Sequence, residues 1–212
     1  MPLQNRITPF GELISDPARG LLMGNRGGRI HRDNRTLSSR RFTSRQWICC
    51  VLAFKGRRRS VWGRFYSELF FLDEPTAFAS GHRPCFECRR RDAIAFAEMF
   101  AGGDRRASAP AIDEFLHSER LDGKIKRIWR SALDELPDGA FVTLSGADAF
   151  AVRGDSLLPW TPSRYLEPRS RPQGTFVDVL TPPSILRVLS RGYPPLWHGS
   201  ALYRPRVVRA NS

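Results

Sequence analysis

The sequence has no long apolar run, and it has little lysine or cysteine. Its longest apolar stretches are WICCVLAF and ELFFL, whereas a membrane-spanning helix needs roughly 20 apolar residues. The first residues, MPLQNRITPFGEL, lack the apolar stretch of a secretory signal. These absences predict a soluble cytoplasmic protein with no membrane partner.

Familiar catalytic signatures are also missing. The stretch MGNRGGRIH is not a Walker motif, and it does not sit between a strand and a helix as a dinucleotide fingerprint would. It offers Gly24, Gly27 and Gly28 around Arg26 and Arg29, so backbone N–H groups and guanidinium groups can converge there on an anion. A flexible glycine loop explains the same residues equally well.

Positive charge is abundant. The chain has 34 Lys and Arg against 21 Asp and Glu, for a net charge of +13. Nearly all the basic residues are arginine, whose planar fork grips phosphate with two hydrogen bonds. The charge is uneven, because residues 1–60 hold 13 basic and 3 acidic side chains. This pattern predicts a nucleic-acid partner, with DNA favoured, bound through its phosphate backbone.

The candidate phosphate contacts are arginines of the basic segment and of the cysteine-containing stretch GHRPCFECRRR. They are Arg26, Arg29, Arg57, Arg58, Arg59, Arg83 and Arg89.

The four cysteines occur as two pairs, one at Cys49 and Cys50 and one at Cys85 and Cys88. In an intracellular chain such pairs indicate metal binding or catalysis rather than disulfides. Two thiolates separated by two residues reach one tetrahedral zinc ion at about 2.3 Å from a tight turn. We therefore predict a Zn²⁺ site formed by all four cysteines; a redox dithiol and unconnected buried thiols are the alternatives.

The adjacent pair raises a geometric difficulty. Neighbouring residues of a strand point to opposite faces, so a regular strand does not aim Cys49 and Cys50 at one metal. A β-bulge would reconcile them. Otherwise one cysteine belongs to the core, and His82 or His31 becomes the candidate fourth ligand.

Local patterns predict an α+β fold. Residues 1–45 read as an arginine-rich, loop-rich arm, and residues 45–54 and 61–72 as the two strands of a β-hairpin with Arg57, Arg58 and Arg59 at its tip. Helices are expected over 73–81, 89–100 and 181–192, and over 108–133 with a break near Gly123. Short strands are expected over 139–180. We divide the chain into an arm plus zinc module, residues 1–104, and a helical connector with a β-rich region of unknown function, residues 105–212.

Carboxylates near the second cysteine pair permit two interpretations. Glu68, Asp73 and Glu74 could serve acid–base or hydrolytic chemistry. Helix capping is favoured, with Asp73 as the N-cap of the helix that follows.

The stretch SELFFLDEPTAFASGHRPCFECRR resembles the metal-binding domain of Ada-type DNA-repair proteins. The resemblance covers roughly residues 47–92 and runs through Phe70, Phe71, Ala77, Ala79, Gly81, Arg83, Pro84, Cys85 and Cys88. It implies a four-cysteine zinc site beside a DNA-binding surface, and in sensor members of the family a zinc-bound cysteine accepts a methyl group from a phosphotriester. Here the upstream cysteines are adjacent, whereas the family separates them by three residues.

We therefore expect a zinc-binding, nucleic-acid-binding protein with a role in DNA repair or processing. One alternative is an enzyme that acts on DNA, either an alkyl acceptor through Cys49 or Cys50, or a nuclease or glycosylase using the C-terminal half. A second alternative is a zinc-stapled protein that binds RNA or an acidic partner.

Overall fold

The α+β class is confirmed by a computed structural model, which describes residues 1–57, 60–103 and 105–202. The helices of the described residues are α1 (Glu74–Ala79), α2 (Arg90–Ala101), α3 (Ala109–Arg120) and α4 (Pro183–Ser190). Two short 3₁₀ helices cover Leu133–Glu135 and Gly199–Leu202. Within the described ranges, no helix combines the length and the apolar character that a bilayer crossing requires.

One mixed sheet is built from the N-terminal part of the chain. Its strands are β1 (Gln4–Ile7), β2 (Leu13–Ser15), β3 (Leu22–Arg26), β4 (Trp47–Val51), β5 (Leu69–Phe71) and β6 (Arg83–Pro84), in the spatial order β2-β1-β5-β3-β4-β6. The pairs β1–β5 and β4–β6 are parallel, and the other neighbours are antiparallel.

The arrangement of this sheet corrects two predictions. Residues 1–45 are not only a loop-rich arm, because they contribute β1, β2 and β3. The predicted hairpin does not form either, since β3 lies between β4 and β5 and pairs with both. Gly24 on β3 makes this possible: a Cβ there would lie 2.1 Å from the Ile48 carbonyl oxygen and 2.8 Å from the Phe71 ring. The glycine that suggested an anion loop instead lets three strands pack closely.

A second sheet follows in the C-terminal part and is antiparallel throughout. Its strands are β9 (Trp129–Ala132), β10 (Phe141–Thr143), β11 (Phe150–Arg153), β12 (Ser156–Pro159), β13 (Arg169–Ser170) and β14 (Phe176–Val179), ordered β13-β12-β11-β10-β14-β9. The short strands expected over residues 139–180 are confirmed. The predicted second helical segment before residue 133 is wrong, because β7 (Leu121–Asp122) and β8 (Ile125–Lys126) form a hairpin at Gly123, where φ is +59°.

Helix α1 joins the two parts of the chain. As predicted, Asp73 is its N-cap, and the side-chain carboxylate accepts a hydrogen bond from the Thr76 amide at 3.1 Å. Asp73 also accepts from the Tyr165 hydroxyl at 2.9 Å, and Glu74 accepts from the Tyr193 hydroxyl at 3.0 Å. These carboxylates tie α1 to the C-terminal region, which agrees with a structural role.

Two hydrophobic cores combine residues from both sides of the predicted boundary at residue 104. In one, Leu72 packs with Phe141; in the other, Phe96 packs with Ile185. The chain therefore buries the cysteine-containing stretch and the β-rich region against a common interior.

Candidate metal centre

Three of the four cysteines converge at the end of the parallel pair β4–β6. Cys50 lies on β4, and Cys85 follows β6, with its amide donating to the Cys49 carbonyl at 3.0 Å. A turn then brings Cys88 back just before α2. The Sγ atoms of Cys50, Cys85 and Cys88 all lie within 4.8 Å of one another. We call these residues the three-cysteine cluster.

The three cysteines lie among apolar side chains and form hydrogen bonds with one another. Cys50 and Cys85 are buried and Cys88 is half-buried, and Met23 and Phe70 pack beside them. Hydrogen bonds from the thiols of Cys50 and Cys88 lower the pKa of Cys85 to about 2. Hydrogen bonds of Cys50 with Cys85 and Cys88 raise the pKa of Cys50. The Glu87 amide also donates to the Cys85 sulfur at 3.4 Å. The arrangement thus favours a thiolate at Cys85.

The geometry fits a metal ion that prefers sulfur. Tetrahedral zinc with Zn–S bonds of about 2.3 Å places its sulfurs about 3.8 Å apart, and the cluster needs only small side-chain shifts to reach that spacing. Soft thiolates favour zinc over hard cations such as Mg²⁺ or Ca²⁺. A buried three-cysteine group able to hold a metal ion is therefore present. Within the described ranges, no histidine, aspartate or glutamate oxygen or nitrogen joins it as a fourth ligand.

Cys49 lies outside the cluster, which corrects its predicted place among the ligands. Strand β4 pairs with β3 in unbroken register, so there is no bulge to turn both cysteines to one side. Cys49 instead packs on the opposite face with Leu69 and Phe71, and its sulfur accepts a hydrogen bond from Arg89 at 3.3 Å. Burial raises the pKa of the Cys49 thiol to about 12, so it stays protonated and unreactive.

Neither candidate histidine joins the cysteines. His82 is fully buried, with one ring nitrogen 2.9 Å from the Ser80 hydroxyl and the other 3.4 Å from the Arg26 guanidinium. His31 stacks on Trp62 and bonds through its ring to the Ser67 hydroxyl at 2.6 Å. Both rings therefore have other partners within the fold.

The structure also corrects the predicted roles of Arg83 and Arg89. Arg83 is buried and makes a two-pronged ion pair with Asp113 on α3, at 2.9 and 2.7 Å. Arg89 is buried between Glu74, at 2.7 Å, and Asp92, at 2.7 Å. Their guanidinium donors are used within the protein, so neither is placed to meet a nucleic-acid backbone.

The other predicted phosphate contacts differ in exposure. Arg57 is exposed and pairs with Glu87, and Arg29 is half-buried and pairs with Asp33. Arg26 is buried and lines a cavity. Arg58 and Arg59 lie outside the described residues.

Two cations that share this cavity with Arg26 are not among the residues predicted from the sequence. Arg120 ends α3 and Lys126 ends β8, and both line the cavity. Only the fold brings them to β3, and no local motif connects the three residues. Lys126 is, however, one of only three lysines in the chain.

Comparisons with known proteins identify no relative. No protein-family model matches the chain, and neither the curated proteins nor the solved structures contain a match.

Proposed function

We propose that this chain is a zinc-binding protein that holds the ion on Cys50, Cys85 and Cys88. The convergence of these three sulfurs within 4.8 Å carries the proposal. The zinc would connect β4 to the turn before α2. It would thereby fix a segment that also anchors Arg89 and Glu74.

Three protein ligands leave one tetrahedral position for water or another ligand. Structural zinc sites usually use four protein ligands, whereas sites that bind substrate keep one position open. Three thiolates around Zn²⁺ carry a net charge of −1, which keeps the bound sulfurs nucleophilic. Cys88 is the half-buried member, so it is the sulfur most accessible to a reactant.

Burial argues against the alkyl-acceptor alternative at the two upstream cysteines. Cys49 is 0% exposed and Cys50 is 5% exposed, so a bulky DNA phosphotriester does not reach either sulfur in this conformation. Incubation with methylated DNA followed by intact-protein mass measurement tests this point. A methyl increment mapped to Cys49 or Cys50 would refute the argument from burial.

The zinc proposal is tested by metal content in single variants of each cysteine. We expect one zinc per chain in the wild-type protein and loss of the ion in Cys50→Ser, Cys85→Ser and Cys88→Ser. Cys49→Ser is the matched control, because it makes the same chemical change on the same strand outside the cluster. It should keep the zinc.

A variant can also lose its metal because it misfolds, so cobalt substitution of the wild-type protein provides an independent count of the sulfur ligands. Co²⁺ bound to thiolates has charge-transfer bands whose intensity reports the number of sulfur ligands. The wild-type protein should show the intensity expected for three sulfur ligands. An intensity for four sulfurs would return Cys49 to the ligand set. Absence of bound metal in a folded wild-type protein would refute the site.

Nucleic-acid binding is a second proposal, supported by exposed arginines between β3 and β4. These are Arg32, Arg35, Arg40, Arg41 and Arg45. Only Arg45 among them pairs with a carboxylate, that of Glu114, within the described part of the chain. We propose that this loop contacts the phosphate backbone of DNA, in the repair or processing role that the Ada-type resemblance implies.

Salt dependence tests the proposed backbone contacts. Each phosphate contact contributes about 0.9 to the slope of log K against log salt. The double variant Arg32→Gln/Arg35→Gln should therefore weaken DNA binding and reduce the slope by about 1.8. The control Arg130→Gln/Arg169→Gln changes two exposed arginines of the second sheet, and it should alter neither the affinity nor the slope. DNA binding that is insensitive to salt, or equal in the two double variants, would refute the proposal.

A further inference from the structure

A cavity of about 810 Å³ opens beside the N-terminal sheet and shares no residue with the three-cysteine cluster. Its walls come from the β1–β2 turn, the ends of β3 and β4, the segment 39–42, and the β7–β8 hairpin. Its volume lies within the range of about 300–1,000 Å³ that is usual for ligand pockets.

Three cations in the wall of this cavity have only neutral partners. Arg26 donates to the Gly11 carbonyl at 2.8 Å, Arg120 to the Gly81 carbonyl at 2.7 Å, and Lys126 to the Ala79 carbonyl at 2.6 Å. Among the residues that the structure describes, none of the three forms an ion pair with a carboxylate. The Nε atom of Arg120 is buried and has no hydrogen-bond partner there.

Nearby carboxylates do not neutralise this charge. Asp113 is the acidic group that influences Arg120, but both of its oxygens bind Arg83. Glu12 also lines the cavity, but it is exposed. Further positive charge lies at the rim, where Arg40, Arg41 and Lys124 are exposed.

The three cations are shielded from solvent and repel one another. Burial, with a contribution from Arg41, lowers the pKa of Arg26 to about 9. Burial and then Arg26 lower the pKa of Arg120 to about 9. Burial and then both arginines lower the pKa of Lys126 to about 7. Buried charges without a counter-charge are unfavourable, and a bound anion would relieve that cost.

Aromatic packing holds the two arginines in place. The guanidinium carbons of Arg26 and Arg120 lie 4.0 and 4.1 Å from the ring centre of Trp47. Cation–π contacts of this kind orient a guanidinium without neutralising it. Phe10 and Phe42 add partly buried apolar surface to the same cavity. The site is therefore preorganised for an anionic group attached to a less polar body.

We propose that this cavity binds the phosphate group of a phosphomonoester through Arg26, Arg120 and Lys126. A phosphate dianion matches three converging cations better than a single carboxylate does, because it offers more acceptor oxygens and more charge. The group could belong to a free nucleotide or to the 5′ end of a nucleic-acid strand, and the chemistry of recognition is the same.

The test measures binding of inorganic phosphate, adenosine monophosphate, and an oligonucleotide with or without a 5′ phosphate, all at matched ionic strength. Lys126→Gln removes one cation from a half-buried position, and Lys55→Gln is the matched control at an exposed lysine outside the cavity. We expect phosphate to raise the thermal midpoint of the wild-type protein and of Lys55→Gln. Lys126→Gln should bind at least tenfold more weakly.

Comparing the affinities for the nucleotide and for the phosphorylated strand distinguishes the two sources of phosphate. Equal affinity for the nucleotide and the phosphorylated strand would indicate a free phosphomonoester, whereas preference for the phosphorylated strand would indicate a strand end. The proposal fails if phosphate and nucleotide do not bind and the strand binds equally well without its 5′ phosphate. It also fails if Lys126→Gln retains wild-type affinity, and neither failure bears on zinc content.

Discussion

Replacing Arg83 by Met should destabilise the fold rather than remove a nucleic-acid contact. Arg83 and Asp113 have side-chain exposures of 2% and 10%, and they meet through two hydrogen bonds at 2.9 and 2.7 Å. Removing the arginine leaves the Asp113 carboxylate buried without its partner. Breaking a buried pair in this way costs about 3–5 kcal/mol of unfolding free energy.

Replacing both partners should restore much of that loss. In Arg83→Met/Asp113→Leu neither charge remains, and apolar replacement of a whole buried pair is often close to neutral. We therefore expect the double variant to be more stable than Arg83→Met alone, a non-additive result that a double-mutant cycle detects. The exposed pair Arg45 and Glu114, with 60% and 71% side-chain exposure, is the control. Its removal should cost below about 1 kcal/mol.

The assay is denaturant unfolding of the four proteins of each cycle, together with DNA binding of the folded variants. A loss of under about 1 kcal/mol in Arg83→Met would show that the pair is not buried in solution. If the double variant were stable but bound DNA weakly, Arg83 would be a DNA contact, as the sequence predicted. Either result would refute the reasoning.

Three further predictions follow from the packing and the electrostatics. Gly24→Ala should prevent or severely weaken folding, because its Cβ would lie 2.1 Å from the Ile48 carbonyl oxygen. Gly103→Ala is the control and should fold normally, because open space surrounds that position. Expression level and thermal unfolding check both variants. Because folding lowers the pKa of Lys126 from 10.5 to about 7, the unfolded chain binds more protons between those values, so stability from this residue should rise with pH across that window. Lys126→Met should show a smaller rise in unfolding free energy than Lys55→Met, and equal slopes would contradict the pKa shift. Chelation of the metal should lower the thermal midpoint of the wild-type protein and leave Cys85→Ser unchanged; an equal drop in both would mean that the chelator acts elsewhere.

Local patterns in the sequence predicted the elements whose ends are set by neighbouring residues. Asp73 as an N-cap predicted the start of α1, and the helix expected over residues 89–100 corresponds to α2. The sequence also predicted short strands over residues 139–180, and β11 and β12 pair there across a turn at residues 154 and 155. Capping and two-residue turns depend on few residues, so their signals are readable without the fold.

Long-range pairing was not readable in the same way. Strand β3 separates β4 from β5, although β4 and β5 are the neighbours in sequence that suggested a hairpin. Short apolar segments do not specify which partner they pair with, because several registers bury similar surface. The close approach of the three strands at Gly24 is compatible only with glycine, and it is visible only in three dimensions.

The residues alone were enough to predict the α+β class, the cysteine pair at Cys85 and Cys88, and the excess of positive charge. Tertiary structure alone decided which upstream cysteine joins that pair, because the regular register of β4 directs Cys50 to the cluster and Cys49 to the core. It also decided the use of the arginines. Composition shows that they are numerous, but burial against Asp113 or around a cavity depends on chain segments that are distant in sequence.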